Sequence, residues 1–147
     1  MWRNTTARNI TVIRRFFAEL WNGGSLSAAD TLLAPGHVHH VGDGDLTGPE
    51  SVKQFVAGLR ATFPDMRTTI EDIIAAGDKV VVRFTITGTY HGQREGFEGI
   101  AGPAVGKQVS CTGIDIFRLA GGKIVERWGE LDALGLQRQL SATSTLG

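Results

Sequence analysis

Cysteine is almost absent: Cys111 stands alone in 147 residues. A disulfide framework is thereby excluded, and a lone mid-strand thiol reads as packing in a protein kept in a reducing, cytoplasmic compartment. An excess of either charge is missing too, because 15 Lys and Arg residues balance 15 Asp and Glu. With no basic run and no aromatic-studded basic stripe, the chain lacks the footprint of a nucleic-acid binder or of a protein drawn to an anionic membrane. Long apolar runs are also wanting. Met1 to Ile10 holds no apolar core of a secretory signal, and no later stretch approaches membrane-spanning length. Without repeats or low-complexity tracts, one domain over 1–147 is expected, and 41% hydrophobic residues is enough to bury a core.

What is there begins with helices. Asn4, Thr5 and Thr6 offer N-caps, and Ile10, Ile13, Phe16, Phe17, Leu20 and Trp21 recur at three- and four-residue steps before Gly23-Gly24 stops the helix. A short second helix is predicted over Ala28 to Leu33. A third starts at Pro49, with Val52, Phe55, Val56, Leu59 and Phe63 as its buried stripe. The period then falls to two. Thr69 to Ala75 and Val80 to Tyr90 form a hairpin, the second strand placing Val80, Val82, Phe84, Ile86 and Tyr90 on one face. The glycine-dense segment His91 to Lys107 reads as a lid or rim, and a short helix, Ala133 to Leu140, follows the last strand. Helices first and a curled sheet after is an α+β order that leaves a pocket between the layers.

Val109 to Asp132 carries the chemistry. Two β-runs fold about Ala120-Gly121-Gly122-Lys123, where a Gly pair supplies the positive φ angles of a tight turn. Alternation puts Gly113, Asp115 and Phe117 on one side of the first strand, and Val125, Arg127, Gly129 and Leu131 on one side of the second. If these are the same concave side, Asp115 and Arg127 are buried and must pair, as either a scaffold clip or a site. A fixed guanidinium there would stabilise negative charge on a substrate oxygen while the carboxylate moves a proton; the pairing is expected to depress the carboxylate pKa. His37-Val38-His39-His40 is an extended run in which only one of the last two histidines reaches inward, where an imidazole titrating near neutrality can serve as base or hydrogen-bond donor. No further His, Cys or carboxylate cluster completes a zinc shell, so no metal is expected.

Several segments together resemble the SnoaL-like polyketide cyclases of the NTF2-like superfamily. They are Trp21-Asn22-Gly23-Gly24, Ala34-Pro35 to His40, Gly48-Pro49-Glu50, Phe63-Pro64-Asp65, Gly77-Asp78-Lys79-Val80, Gly88-Thr89, Gly106-Lys107, and Gly113 to Arg118 through Gly122-Lys123-Ile124 to Trp128. The resemblance spans almost the whole chain. It implies an α+β cone, with a curved antiparallel (mixed) sheet and three N-terminal helices on its concave face, and commonly a homodimer. It also implies a cofactor-independent aldol-type cyclase in which an Asp on the last strand acts as general acid/base with a His on the strand before. Here Gly129 occupies that Asp position and Asp115 that His position, Arg127 stands where many relatives have His, and His40 aligns with a His common in the family, which makes it the preferred inward histidine. A rewired site follows: Asp115, Arg127, His40 and Asp132 as catalytic candidates, with Trp21, His39, Tyr90, Phe117 and Phe55 contacting a small hydrophobic carbonyl substrate. Two alternatives stay open. Epoxide hydrolysis would need Asp132 as a second carboxylate beside Asp115 and Arg127, whereas a non-catalytic ligand-binding module would explain the missing Asp.

Overall fold

The aromatic stripe of the first helix sets the geometry of everything packed beneath it. The computed structural model describes residues 2–42, 44–92 and 104–141, with side chains from Thr5 onward. Helix α1 (Trp2–Arg15) continues without a break into a π-helical segment, Phe16–Asn22. The wider π turn brings neighbouring aromatic residues onto the core side together, so that Phe16, Phe17, Leu20 and Trp21 are all buried. The chain then forms α2 (Ala28–Leu32), β1 (Leu33–Val41), β2 (Gly44–Thr47) and α3 (Gly48–Thr62). Strands β3 (Arg67–Ala76), β4 (Lys79–Thr89), β5 (Gln108–Ala120) and β6 (Lys123–Leu131) follow, and α4 (Ala133–Ser141) closes the described chain.

One six-stranded sheet runs in the order β2-β1-β6-β5-β4-β3. Every neighbouring pair is antiparallel except β1 and β6, which are parallel. The expected α+β architecture is present, with α1 and the π segment on β3 and β4 and with α3 on β1 and β2. Beneath the helices lies a core that includes Ile13, Phe16, Leu20, Val52, Val80, Val82, Phe84 and Phe117. The β5–β6 turn behaves as the sequence requires: Gly121 and Gly122 have φ of 58° and 79°, values an L side chain resists.

Two strands escape the sequence reading. β1 and β2 occupy a stretch read as loop and extended segment, because Pro35 and Gly36 weaken any strand pattern and β2 is only four residues long. Pairing with β6 supplies what local preference does not. A second difference is one of parity: a register shift between Arg118 and Leu119 skips Val125, so Ile124, fully buried, joins the inward side with Arg127. Val125 therefore leaves the side to which strict alternation assigned it. The predicted lid, His91 to Lys107, lies mostly outside the described residues.

Candidate functional site

The inward side of β5 is set by an unbroken alternation in which Val109, Cys111, Gly113, Asp115, Phe117 and Leu119 are all buried. Asp115 is opposite Gly129 on β6, and Phe117 is opposite Arg127. Asp115 and Arg127 are thus diagonal neighbours on one face, close enough for long side chains to meet. They do: Arg127 Nε donates to Asp115 Oδ2 at 2.8 Å and Nη2 donates to the same oxygen. Asp115 is 1% exposed and Arg127 6%. The guanidinium carbon sits 5.2 Å from the ring centres of Phe16 and Trp21, 5.3 Å from Phe117 and 6.0 Å from Phe17. Aromatic faces replace part of the hydration that the cation loses. The expectation that Arg127 would depress the Asp115 pKa is reversed: burial dominates and raises it, with the Coulombic and hydrogen-bond pull of Arg127 only partly opposing.

A cavity of about 290 Å³ opens between sheet and helices, lined among others by Trp21, His39, Phe55, Thr68, Asp115, Arg127 and Gly129. His39 reaches it from β1, where the parallel register sets it beside Arg127. Its ring packs edge-on against Phe55 at 6.0 Å. Burial, and next the Arg127 charge, push its pKa down to about 2, so the imidazole stays neutral. Gly129 is the floor between the two polar groups. A β-carbon there would lie 2.9 Å from Asp115 Oδ1 and 3.3 Å from His39 Nε2. The bare backbone leaves a gap bordered by a carboxylate oxygen and an imidazole nitrogen, and any side chain would fill it.

The structure separates the candidates. Asp115, Arg127, His39, Trp21 and Phe55 converge on the cavity. His40 does not, and the preference for it as the inward histidine is wrong. Its Nδ1 meets Asp45 Oδ1 at 2.9 Å, its Nε2 meets Glu126 Oε2 at 2.7 Å, and its ring stacks on Trp128. Alternation along β1 turns one histidine in and its neighbour out, and the register with β6 decides which. Asp132 is spent as a cap: its Oδ1 accepts the Gly135 N–H at 2.9 Å at the start of α4. It does not line the cavity, so the second carboxylate of the epoxide alternative is not supplied by it. Tyr90 packs against Phe63 with ring centres 5.8 Å apart, away from the cavity wall, and Phe117 lies behind Arg127 rather than on the surface a ligand would touch. Among the described residues no group of three His, Cys, Asp or Glu is placed to hold a metal ion.

Sequence reasoning missed Thr68. It lines the cavity, 5% exposed, from the second residue of β3, a strand the period-two reading began two residues later at Thr69. The side chain of Asn22 holds it there, accepting the Thr68 N–H at 2.6 Å and donating to the Thr68 carbonyl at 2.9 Å. The signal lay in the inward parity of Thr68 with Ile70. A wider, more open groove of about 380 Å³, edged by Arg83, Ile114 and Glu130, gathers no comparable set of buried polar groups.

The model of the SnoaL-like polyketide cyclase family matches residues 11–140. Among solved structures, a protein from Jannaschia sp. CCS1 assigned as a SnoaL-like polyketide cyclase superposes with a TM-score of 0.82 at 26% identity, covering 94% of each chain. AclR from Streptomyces galilaeus, assigned as a hydroxylase, gives 0.79 at 27% identity over 92% of this chain and 96% of its own. TsrD from Streptomyces laurentii gives 0.79 at 30% identity over 93% and 97%. No curated protein matches.

Proposed function

The chain belongs to the SnoaL-like polyketide cyclase family, and from that premise we propose a cofactor-independent acid–base catalyst that moves protons on a small hydrophobic carbonyl substrate, in the manner of an intramolecular aldol cyclase. One observation carries this reading. Arg127 holds Asp115 by Oδ2 alone, leaving Oδ1 at the gap over Gly129 across from His39 Nε2. A carboxylate whose proton affinity is raised by burial is a better base than a solvated one. Asp115 takes the proton from the carbon next to the substrate carbonyl, the C–H pair flows into an enolate, and neutral His39 donates a hydrogen bond to the developing oxyanion. The enolate carbon then attacks a second carbonyl of the same molecule, and the alkoxide so formed receives the proton that Asp115 holds. Arg127 keeps the carboxyl oriented and its charge compensated throughout. The acid–base pair is thereby carried on β5 and β1, and the relatives' Asp position on β6 is left open as space.

Deuterium incorporation into 2-tetralone in D2O, followed by NMR, tests the proton transfer without knowledge of the natural substrate. Wild type should exchange the α-protons well above buffer, and Asp115→Asn should lose about 10² to 10⁴ of that rate. Equal rates for the two proteins refute catalysis by Asp115, and tight binding without exchange establishes the ligand-binding alternative.

The same reading includes a cytoplasmic homodimer. The outer sheet face supports it with a cross-strand row: Ile74 beside Val81, Val81 beside Ile116 and Ile116 beside Trp128. Ile74, Ile114 and Ile116 are 64%, 51% and 38% exposed, an apolar surface uncommon on a monomer. Sedimentation should give twice the chain mass, reduced to one by Ile116→Glu; a wild-type monomer at tens of micromolar would refute the assembly.

A further inference from the structure

The aromatic rings around the Arg127 guanidinium are not equivalent. Phe17 and Trp21 also line the cavity, and Trp21 is the nearer of the two, its ring centre 5.2 Å from the guanidinium carbon against 6.0 Å for Phe17. Trp21 is therefore the ring that screens the guanidinium on its cavity side. It stands one residue from the end of the π segment, where a helix runs out of partners for its own carbonyls. Local structure alone holds it less firmly than Phe16 or Phe17, deeper in the helix.

Two side chains fasten that end. Asn22, next in the chain, accepts the Thr68 N–H at 2.6 Å and donates to the Thr68 carbonyl at 2.9 Å, so its amide pairs with β3 as a neighbouring strand would. β3 is the last strand of the sheet, and its far side has no strand to meet. Arg60 of α3 donates from Nη1 to the Trp21 carbonyl at 2.7 Å and to the Met66 carbonyl at 3.3 Å, and from Nη2 to the Pro64 carbonyl at 3.4 Å. Among the described residues no carboxylate pairs with Arg60, so its charge is spent on carbonyls, including the one that ends the π segment. Gly24 makes room for it: φ is 66° there, and a β-carbon would lie 2.9 Å from Arg60 Nε. Neither Asn22 nor Arg60 lines the cavity.

We propose that Asn22 and Arg60 are positioning residues for the Asp115–Arg127 pair: by fixing Trp21 against the guanidinium they keep water from the pair and hold Asp115 Oδ1 at the gap over Gly129. Both act through Trp21 and touch no substrate. The use of this device in catalysis rests on the acid–base reading above, whereas the exclusion of water does not. Burial is the largest influence on Asp115, so a loosened Trp21 that admits water returns the carboxyl toward its ordinary pKa. The titratable groups beside Asp115 are Arg127 on β6 and His39 on β1, and neither clamp variant alters them.

Titration of the Asp115 carboxyl carbon by 13C NMR tests it in aspartate-labelled protein, with Asp115→Asn assigning the signal. Asn22→Leu and Arg60→Met should each lower the midpoint by at least about half a pH unit, and the acid limb of 2-tetralone exchange should move down with it. Arg60→Lys, which can still donate to the Trp21 carbonyl, should stay within about 0.2 unit of wild type. Leu140→Ala, a truncation of a buried side chain in α4, controls for lost stability and should leave the midpoint in place. A purely structural role would lower the unfolding midpoint of the clamp variants without moving the Asp115 titration. A titration unchanged or raised in either variant removes that residue from the assignment, and one moved equally far by Leu140→Ala overturns the proposal. Should Asn22→Leu fail to fold, the contrast between Arg60→Met and Arg60→Lys decides. Absence of exchange in wild type refutes the catalytic reading alone, because the carbon titration needs no turnover.

Discussion

Arg127→Met separates a buried ion pair from a solvated one, and its cost can be worked from the site. Among the described residues, Arg127 supplies the only influences that hold the Asp115 pKa down; desolvation pushes the other way and already prevails. Without the guanidinium, Asp115, 1% exposed, must either stay charged in an apolar wall or take up a proton. Breaking such a pair from one side costs about 3–5 kcal/mol. Protonation sets a ceiling on the charge-dependent part, about 1.36 kcal/mol for each pH unit above the ordinary Asp value of 3.8. That ceiling is about 5.7 kcal/mol at pH 8 and about 1.6 kcal/mol at pH 5. The sign follows from the raised folded-state pKa: stability is present at low pH and is lost as pH rises through it. Urea unfolding of Arg127→Met should therefore show a large deficit at pH 8 that shrinks to under about 2 kcal/mol at pH 5. The double variant Asp115→Leu/Arg127→Met puts two apolar chains of similar shape among Phe16, Phe17, Trp21 and Phe117, and should recover to within about 1 kcal/mol of wild type with no such pH slope. A deficit equal at both pH values, or a double variant no better than the single, would refute the burial argument.

Gly129→Ala should cut both ligand affinity and proton exchange at least about tenfold, since its β-carbon would lie 2.9 Å from Asp115 Oδ1 and 3.3 Å from His39 Nε2; titration and exchange rates check it, at a stability cost of about 1–3 kcal/mol for the overpacking. His39, with its pKa held near 2, and His37, near 4, should show no imidazole titration by NMR between pH 5.5 and 8. Both are lowered, so they contribute stability above pH 6.5 that is lost on acidification, and His37→Gln should lessen the acid-induced loss of stability below about pH 5. His40 behaves oppositely: Glu126 and then Asp45 raise its pKa, so its contribution is present below 6.5 and fades as pH rises through the higher folded value. A His40→Gln protein whose unfolding midpoint keeps the wild-type pH dependence between 6 and 9 would contradict that clamp.

The inward pairing of Asp115 and Arg127 was legible because alternation along β5 needs no partner to assign faces, and a charge on an apolar face demands a counter-charge. The β5–β6 turn was legible because Gly121-Gly122 is a local conformational requirement. Local chemistry also marked α1, α3 and the β3–β4 hairpin, together with the segments that carry the family resemblance. Tertiary structure decided the rest. Whether His39 or His40 enters the cavity depends on the parallel register of β1 against β6, a contact between segments far apart in the chain. Burial, which outweighs Arg127 at Asp115, follows from the aromatic rings of the π segment lying over the sheet. Asp132 looks like an acid/base in one dimension and is a helix cap in three. Residue type and period fix what a side chain can do; only the packing of distant strands and helices fixes what water, charge and neighbour it meets.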